Sequence, residues 1–360
     1  MTPEAAASSA DRSAGDAGTV EATASPCLLR VRGLTVQFPS SQGPVTVVED
    51  LSFDLEAGRF VGLVGESGSG KSLTALSIMG LVPDPGRIAA GEVLLEGEDL
   101  LRLPPRRLRR VRGARVGMVF QEPMTALNPV LTIGFQIEEA VRLHRRMSRS
   151  AAQREAERLL DLVAIPDARR RLKDYPHQLS GGQRQRAMIA MALAGQPDLL
   201  LADEPTTALD VTIQAQILEL LQSLREELGL AVLLITHDLA VVAETCERVL
   251  VMYAGELVEE APVDQLFQRP DHPYTRGLVA ASPRLGQPAA RGQLPTIPGQ
   301  VPEAGHRPTG CPFHPRCPEV MEICRQEVPP LVPTGKGEHR NRRRARCFLH
   351  APEAERNVQR

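Results

Sequence analysis

Residues 65–73 combine the residue types that bind the phosphate groups of a nucleotide. Gly65 and Gly70 bracket four residues and precede Lys71 and Ser72, which fits the pattern G-x-x-x-x-G-K-[ST]. Glycines let backbone N–H groups surround an anion, and a helix starting there points its positive end at it. We expect Lys71 to contact the β- and γ-phosphates and Ser72 to ligate Mg²⁺. The predicted nucleotide-binding residues are Gly65, Glu66, Ser67, Gly68, Ser69, Gly70, Lys71, Ser72 and Leu73.

An acidic pair follows another apolar segment much later in the chain. Residues 199–202 are short and apolar, as buried parallel strands are, and Asp203 and Glu204 follow them. Asp203 is placed to hold Mg²⁺, directly or through water, and Glu204 can polarise the water that attacks the γ-phosphate. Alone, such a pair is more often a loop cap. In a chain that also contains a phosphate loop, such a pair favours hydrolysis of a nucleoside triphosphate.

Hydrophobic periodicity predicts the elements that must position these residues. A strand, a glycine-rich turn and a helix follow one another over residues 59–81, which is the context that a phosphate loop requires. Strands that alternate with helices indicate an α/β fold with a mainly parallel sheet. Further predicted segments are strands at 28–38, 199–202 and 231–235, and helices at 148–165, 183–193 and 212–228.

One segment carries a resemblance to a known family. Leu179-Ser180-Gly181-Gly182-Gln183 matches the signature motif of the ABC ATPases, and the resemblance extends over residues 28–267. It implies a P-loop NTPase core with a helical subdomain, which binds ATP with Mg²⁺ and hydrolyses it. Ser180, Gly181, Gly182 and Gln183 lie at a helix start, where the helix dipole favours negative charge. In this family the motif faces the γ-phosphate held by the opposite subunit, so the resemblance implies an identical or sister ATPase partner.

The resemblance assigns roles to four further residues. Gln121 is similar to the glutamine of the Q-loop, which touches Mg²⁺ and senses the transmembrane partner. Asp210 resembles the D-loop aspartate, and His237 resembles the switch histidine, although a lone histidine there would otherwise be read as structural. Phe38 stands where the family's aromatic residue stacks on adenine, for which a phenyl ring suffices. The implied catalytic residues are Glu204, His237 and Gln121, and the implied Mg²⁺ ligands are Ser72, Gln121 and Asp203.

Two regions resemble the oligopeptide, dipeptide and nickel importer branch of the family. One is the segment 120–129, and the other consists of the tail segments 272–276, 298–302 and 310–318. The resemblance implies two transmembrane permease subunits, one of which inserts a coupling helix into the helical subdomain. An extracytoplasmic solute-binding protein acts indirectly. Peptides are the expected solute, with nickel or another small solute as the alternative.

Composition and charge bound the remaining possibilities. The chain has 360 residues, of which 42% are hydrophobic, so it can bury an ample core. Its formal net charge of −2 gives no global attraction to nucleic acid, and the arginine-rich run 102–115 predicts a solvated face. No nucleic-acid partner is expected.

No apolar stretch is long enough to span a bilayer, and the first residues lack a secretion signal. We therefore expect a peripheral protein on the cytoplasmic side of the cell (inner) membrane.

Four cysteines crowd the C-terminal region. Cys311, Cys317, Cys324 and Cys347 are separated by five, six and twenty-two residues, and the short C-x₂₋₄-C spacing of structural zinc sites is missing. Some importer ATPases that this chain resembles carry an iron–sulfur cluster here. Four thiolates can ligate a [4Fe–4S] cluster or Zn²⁺, with unligated thiols as the third alternative. Either metal would have a structural role.

Changes in sequence texture predict the domain boundaries. Proline and glycine become frequent from Pro270, where helical and strand periodicity fades. A soluble ABC ATPase acting on nucleic acid or ribosomes is the first rival interpretation, and a regulator that only binds nucleotide is the second. The single cassette and the intact catalytic residues disfavour both. The predicted units are a disordered leader at 1–27, an ATPase domain at 28–268 with a helical subdomain at about 122–182, an irregular extension at 269–350 and a tail at 351–360.

Overall fold

The computed structural model of the chain describes residues 27–282, 296–335 and 343–351. The predicted leader and the predicted tail lie outside these ranges, apart from one boundary residue of each. Across the residues that the structure describes, no helix is both long and apolar enough to cross a bilayer.

The strands and helices around the glycine-rich loop lie where the sequence predicts them. The strands are β1 (Cys27–Phe38), β2 (Val45–Glu56), β3 (Phe60–Val64), β4 (Arg87–Leu95), β5 (Glu98–Asp99), β6 (Val116–Val119), β7 (Leu199–Asp203), β8 (Ala231–Thr236), β9 (Arg248–Tyr253), β10 (Glu256–Pro262), β11 (Leu331–Pro333) and β12 (Arg344–Arg346). The helices are α1 (Lys71–Ile78), α2 (Pro105–Ala114), α3 (Pro123–Ala126), α4 (Ile133–Arg145), α5 (Arg149–Leu162), α6 (Ala168–Arg171), α7 (Gly181–Leu193), α8 (Val211–Leu228), α9 (Leu239–Thr245), α10 (Val263–Gln268), α11 (Pro273–Ala281) and α12 (Ile323–Gln326).

The main sheet has the strand order β11-β12-β10-β9-β3-β8-β7-β6. Strands β9, β3, β8, β7 and β6 run parallel, whereas β10, β12 and β11 continue the sheet antiparallel at one edge. Every residue of β3, β7 and β8 is buried, as expected for parallel strands that are covered on both faces. The predicted α/β fold with a mainly parallel sheet is confirmed.

A second sheet, with the order β2-β1-β4-β5, is antiparallel. Strand β1 lies at its centre between β2 and β4, and Val31, which faces Phe53 and Val93, is fully buried with them. Only β1 of this sheet is predicted from the sequence. Strands β2 and β4 are not predicted, because their pairings with β1 contain irregularities that break the alternation of buried and exposed residues.

Alternate residues of the parallel strands point into two hydrophobic layers. In β7, Leu199 and Leu201 belong to the layer that contains β1, β2 and α1, while Leu200 and Ala202 belong to the layer that contains α5, α7 and α8. The main sheet is therefore the middle layer of the molecule. This arrangement fixes the strand ends from which the candidate site is built.

Helices α4, α5 and α7 pack together beside the sheet. Thr132 accepts a hydrogen bond from the backbone of α4, and Ser148 accepts one from the backbone of α5, so both helices begin at N-caps. Buried residues from the three helices, including Val141, Leu160 and Met188, share one core. The packing holds the start of α7, which carries the signature motif, at a defined place.

The arginine-rich run lies on the surface. Helix α2 has no buried residue, and it follows a short 3₁₀ turn at Leu100–Arg102. Arg102 pairs with Glu92, and Arg107 pairs with Glu98. The predicted solvated face is confirmed, and neighbouring carboxylates balance part of its positive charge.

The described residues beyond Pro270 pack on the main sheet. Strands β11 and β12 extend the main sheet through β10. The buried carboxylate of Glu259 in β10 accepts hydrogen bonds from the backbone N–H groups of Asp271 and His272, at 2.7 and 2.8 Å. These two residues directly precede α11, so Glu259 satisfies donors at the start of that helix. The segment His272–Arg276, singled out in the sequence, is thus anchored to the sheet.

Candidate active site

Four adjacent strands of the main sheet end at one edge. Strand β3 leads into Gly65, β6 leads towards Gln121, β7 ends at Asp203, and β8 leads into His237. The carboxyl ends of parallel strands are where open α/β sheets bind ligands, because the loops that follow them meet there. The residues predicted separately from the sequence are therefore brought together by the sheet.

The glycine-rich loop between β3 and α1 is closely packed. A Cβ atom on Gly65 would lie 2.3 Å from the carbonyl oxygen of Met252, so only glycine fits that position. Gly70, the residue before α1, has φ = +95°, which is strained for any residue with a side chain. The loop thus depends on glycine at both ends of its pattern.

Lys71 lies inside this loop. Its ammonium group donates hydrogen bonds to the carbonyl oxygens of Gly65 and Glu66, at 2.8 and 3.0 Å. Burial lowers the pKa of Lys71, and the nearby carboxylates of Glu204 and Asp203 offset part of that effect. The loop therefore concentrates one buried positive charge beside its backbone.

Ser72 and Asp203 form the contact expected of two Mg²⁺ ligands. The hydroxyl of Ser72 donates to Oδ1 of Asp203 at 2.9 Å. Burial raises the pKa of Asp203, although the hydrogen bond from Ser72 opposes the shift. A hydroxyl and a buried carboxylate supply the oxygen ligands that Mg²⁺ prefers. The third predicted ligand, Gln121, makes no hydrogen bond with either of them in the described part of the chain and donates to Glu204 instead.

Glu204 is the centre of a hydrogen-bond network. Its carboxylate accepts from Nε2 of Gln121 at 3.0 Å and from the hydroxyl of Thr207 at 2.9 Å, and it contacts Nδ1 of His237 at 3.1 Å. Burial alone would raise the pKa of Glu204, but the hydrogen bonds from His237 and Thr207 and the charge of Lys71 hold it below its ordinary value. Its backbone is left-handed, with φ = +43°.

This arrangement can activate water. An ionised carboxylate that is fixed in orientation by three neighbours can accept a proton from a water molecule. Lys71 and the N-terminus of α1 supply positive potential on the neighbouring loop, where phosphate charge would be held. Glu66, Gln121, Glu204 and His237 line one open cleft.

Phe38 is the last residue of β1, and its side chain is half-buried. The ring packs so closely on Gly86 that a Cβ at that position would lie 2.5 Å from it. The stacking of Phe38 on adenine stays a prediction.

The signature motif lies at the exposed start of α7. The hydroxyl of Ser180 accepts from the backbone of Gln183, while the side chain of Gln183 accepts from the backbone of Ser180, so the two form a capping box. Asp210 caps α8 by accepting a hydrogen bond from the backbone N–H of Ile213, and the side chain of Leu209 lies next to Gly181. Among the described residues, no hydrogen bond joins the motif to the glycine-rich loop of the same chain.

Two features of the site are not predicted from the sequence. The first is Thr207, which follows Glu204 by three residues and could have been found as a hydroxyl within one turn of the acidic pair. The second lies in the C-terminal region: the hydroxyl of Tyr274 accepts from the backbone N–H of Glu66, and Arg316 pairs with the carboxylate of Glu66. The sequence signals only that these segments resemble one family branch.

The four C-terminal cysteines line one small cavity with His272 and Phe313. Burial raises the pKa of Cys311 to about 12 and that of Cys347 to about 11, and it also raises the pKa of Cys317. Within the described residues, no group of three or more His, Cys, Asp or Glu side chains is placed to hold a metal ion. The described residues therefore do not show the predicted [4Fe–4S] or zinc site.

Two family models match the sequence. Residues 48–207 match the model described as ABC transporter. Residues 258–324 match the model described as oligopeptide/dipeptide transporter, C-terminal region. The first range contains the glycine-rich loop, the signature motif and the acidic pair, and the second contains the segment that carries Tyr274 and Arg316.

Curated relatives align over most of the chain. A putative peptide import ATP-binding protein of Brucella abortus is 52% identical over 308 residues, which cover 86% of this chain and 92% of that protein. The oligopeptide transport ATP-binding protein OppD of Salmonella typhimurium is 51% identical over 313 residues, covering 87% and 92%. The protein of that name from Escherichia coli is 52% identical over 305 residues, covering 84% and 89%.

A solved structure shares the fold. It is a dimeric ATP-binding cassette in a post-hydrolysis state bound to ADP and Pi, with a TM-score of 0.59 and 32% identity. The match covers 66% of this chain and 99% of that one.

Proposed function

The chain belongs to the ATP-binding proteins of ABC transporters, and from that membership we propose that it hydrolyses ATP to energise uptake of di- and oligopeptides. The match of residues 258–324 to the oligopeptide/dipeptide transporter region favours peptides over nickel or another small solute. The same match disfavours a soluble ATPase that acts on nucleic acid or ribosomes. ATP hydrolysis is the activity of the family to which the cassette belongs.

The hydrogen bonds that three side chains make with Glu204 are the observation that best supports this proposal. A carboxylate held by Gln121, Thr207 and His237 lies beside the contact between Ser72 and Asp203. Ser72 and Asp203 would hold Mg²⁺, which would supply positive charge beside the phosphates, and Glu204 would take a proton from the attacking water. His237 and Gln121 orient Glu204 for that step.

The residues of the glycine-rich loop would bind the phosphates through their backbone N–H groups, with Lys71 as the countercharge. Phe38 would stack on adenine. Ser180 and the glycines after it would contact the γ-phosphate of a second ATPase subunit, since the described residues give them no contact with their own loop. The solved cassette to which this chain is similar is dimeric.

We infer that the working assembly contains two ATPase subunits, identical or sister, and two transmembrane permease subunits. A solute-binding protein would deliver peptide from outside. The chain itself would lie on the cytoplasmic side of the membrane as a peripheral subunit. It would consist of an ATPase domain at 28–268 and a C-terminal extension at 269–350. These assignments rest on the relatives named as peptide import proteins.

Peptide uptake by the assembled transporter tests the proposed function. The subunits that co-purify with the chain are reconstituted in liposomes, and ATP-dependent accumulation of a labelled peptide is measured. Lys71→Ala should abolish ATP binding and uptake, because it removes the buried positive charge of the loop. Lys173→Ala, at an exposed lysine, is the matched control and should transport normally. Uptake that persists in Lys71→Ala would overturn the proposal.

We also propose that Cys311, Cys317, Cys324 and Cys347 hold a [4Fe–4S] cluster, with Zn²⁺ as the alternative. The support is that all four thiols line one cavity. A cluster takes one thiolate per iron, so its sulfur ligands surround a volume and do not converge on one ion. The buried thiols, whose pKa values are raised, would lose their protons to a bound cation. The cluster or zinc ion would have a structural role, since it would crosslink the parts of this segment that carry the four cysteines.

Metal analysis tests the cysteine proposal. Protein purified without oxygen should contain about four iron and four acid-labile sulfide per chain, or about one zinc for the alternative. Cys317→Ser should lose that metal, whereas Cys27→Ser, outside the cavity, should keep it. Parent protein with neither iron nor zinc would show that the thiols are unligated.

A further inference from the structure

Glu66 places a negative charge inside the loop that is proposed to bind phosphate. It directly follows Gly65, and its carbonyl oxygen accepts from Lys71 at 3.0 Å. Its carboxylate is about one-third exposed and faces the C-terminal region. Left unpaired, this carboxylate would repel a bound phosphate and would compete with the phosphate for Lys71. Both effects are strong because the charges interact at short range in a half-buried site.

Arg316 is the residue that meets this carboxylate. Its Nη1 donates to both oxygens of Glu66, at 3.1 and 3.2 Å, and its side chain is only 5% exposed. The rest of the guanidinium donates to the carbonyl oxygens of Pro298 and Ile297, at 2.9 and 3.3 Å. It also lies over the ring of Tyr253, 5.7 Å from the centroid. The guanidinium is therefore fixed in place from several sides.

The C-terminal region holds Arg316 by a short rigid turn. His314–Arg316 forms a 3₁₀ turn between two cysteines, closed by backbone bonds from His314 to Cys311 and from Cys317 to His314. Phe313, at the start of the turn, packs edge-on against Tyr253 and Tyr274. Tyr274 in turn accepts from the backbone N–H of Glu66, at 2.9 Å. Two contacts from the C-terminal region thus converge on one residue of the loop.

We propose that Arg316 is a positioning residue for ATP: by neutralising and holding Glu66, it keeps the phosphate loop receptive to the anionic nucleotide. The inference rests on the proposed function, because it assumes that residues 65–73 bind ATP. The inference goes beyond the proposed function, because it makes the affinity for the nucleotide depend on a residue about 250 positions after Glu66, in a segment outside the cassette. Arg316 does not contact the reacting atoms in this account.

The charge role and a packing role predict different results. If Arg316 neutralises Glu66, then Arg316→Met should weaken ATP binding about tenfold at low salt, with kcat little changed at saturating ATP. In the Glu66→Gln background, the same substitution should weaken binding less than about twofold, because no carboxylate remains to be neutralised. Arg316→Lys should stay within about threefold of the parent, since it keeps the positive charge.

The experiment measures the Kd for ATP and the kcat of the purified complex for these variants, with thermal melting as a check of folding. Arg325→Met, which removes an exposed arginine from the same region, is the matched control and should bind ATP like the parent. A tenfold loss that is equally large in the Glu66→Gln background would show a packing role and overturn the proposal. So would parent-like binding by Arg316→Met. If Arg316→Met does not fold, tenfold weaker binding by Arg316→Lys would overturn it.

The two proposals fail in distinguishable ways. If the parent complex binds no ATP, the proposed function is wrong. If the parent binds ATP and the Arg316 variants bind it equally well, only the inference about Arg316 is wrong.

Discussion

At the scale of single residues, the neighbours of Glu204 determine its pKa. Burial would favour its neutral form, yet the hydrogen bonds from His237 and Thr207 and the charge of Lys71 keep its pKa below the ordinary value. The sequence identifies Glu204, Gln121 and His237 as a set through the resemblance to the ABC ATPase family. It does not identify Thr207, whose role depends on the left-handed turn of the backbone at Glu204.

Removing the hydroxyl of Thr207 should change the pH dependence of turnover. Thr207→Val deletes a hydrogen bond that lowers the pKa of Glu204, so that pKa should rise. A base must be ionised to accept a proton, so turnover is lost as the pH falls through this pKa. The acid limb of the rate profile should therefore move to higher pH in Thr207→Val.

The control for this prediction is Thr206→Val, because the hydroxyl of Thr206 makes no hydrogen bond in the described part of the structure. Its profile should match that of the parent. An unchanged acid limb in Thr207→Val would show that Thr207 does not tune the base.

At the scale of elements, the sequence predicts those whose pattern is local. Strands β3, β7 and β8 are uniformly apolar and short, so their burial in a parallel sheet follows from composition alone. The antiparallel sheet is mostly missed, because its pairings contain irregularities that disrupt the alternation. The contact between Arg316 and Glu66 is missed because nothing local in the sequence marks a pairing of such distant residues.

Helix α11 is anchored by a buried acidic side chain whose protonation state affects stability. Glu259 accepts two backbone hydrogen bonds at the start of α11, and burial raises its pKa to about 7, above the ordinary value of 4.5. A raised folded pKa means that the stability it contributes is present below pH 4.5 and is lost as the pH rises through about 7. The anchoring of α11 should therefore weaken between these two pH values.

Glu259→Gln should lower the free energy of unfolding by about 2 kcal/mol near pH 5, because its NH₂ group cannot accept a hydrogen bond from the backbone. The difference from the parent should shrink by pH 8. Urea unfolding at the two pH values measures both effects, and Glu303→Gln, at an exposed position, serves as the control. A difference that grows with pH would contradict the account of this carboxylate.

At the scale of the whole molecule, the site of one chain is incomplete. The described residues place the start of α7 on the surface, with its serine and glycines exposed or half-buried and unbonded to the phosphate loop of the same chain. A helix N-terminus with free N–H groups suits an anion brought by a partner. The resemblance to a dimeric cassette fits this arrangement. The sequence alone predicts it only through the family resemblance, because an interface between chains leaves no periodicity in either chain.

The most direct test of the account is ATP turnover by Glu204→Gln in the complex of the chain with its ATPase partner. The account predicts that the variant still binds Mg·ATP and forms the ATP-dependent dimer, whereas hydrolysis falls at least about a hundredfold, since the base that accepts the proton of water is lost. Turnover by Glu204→Gln at the rate of the parent would contradict the account.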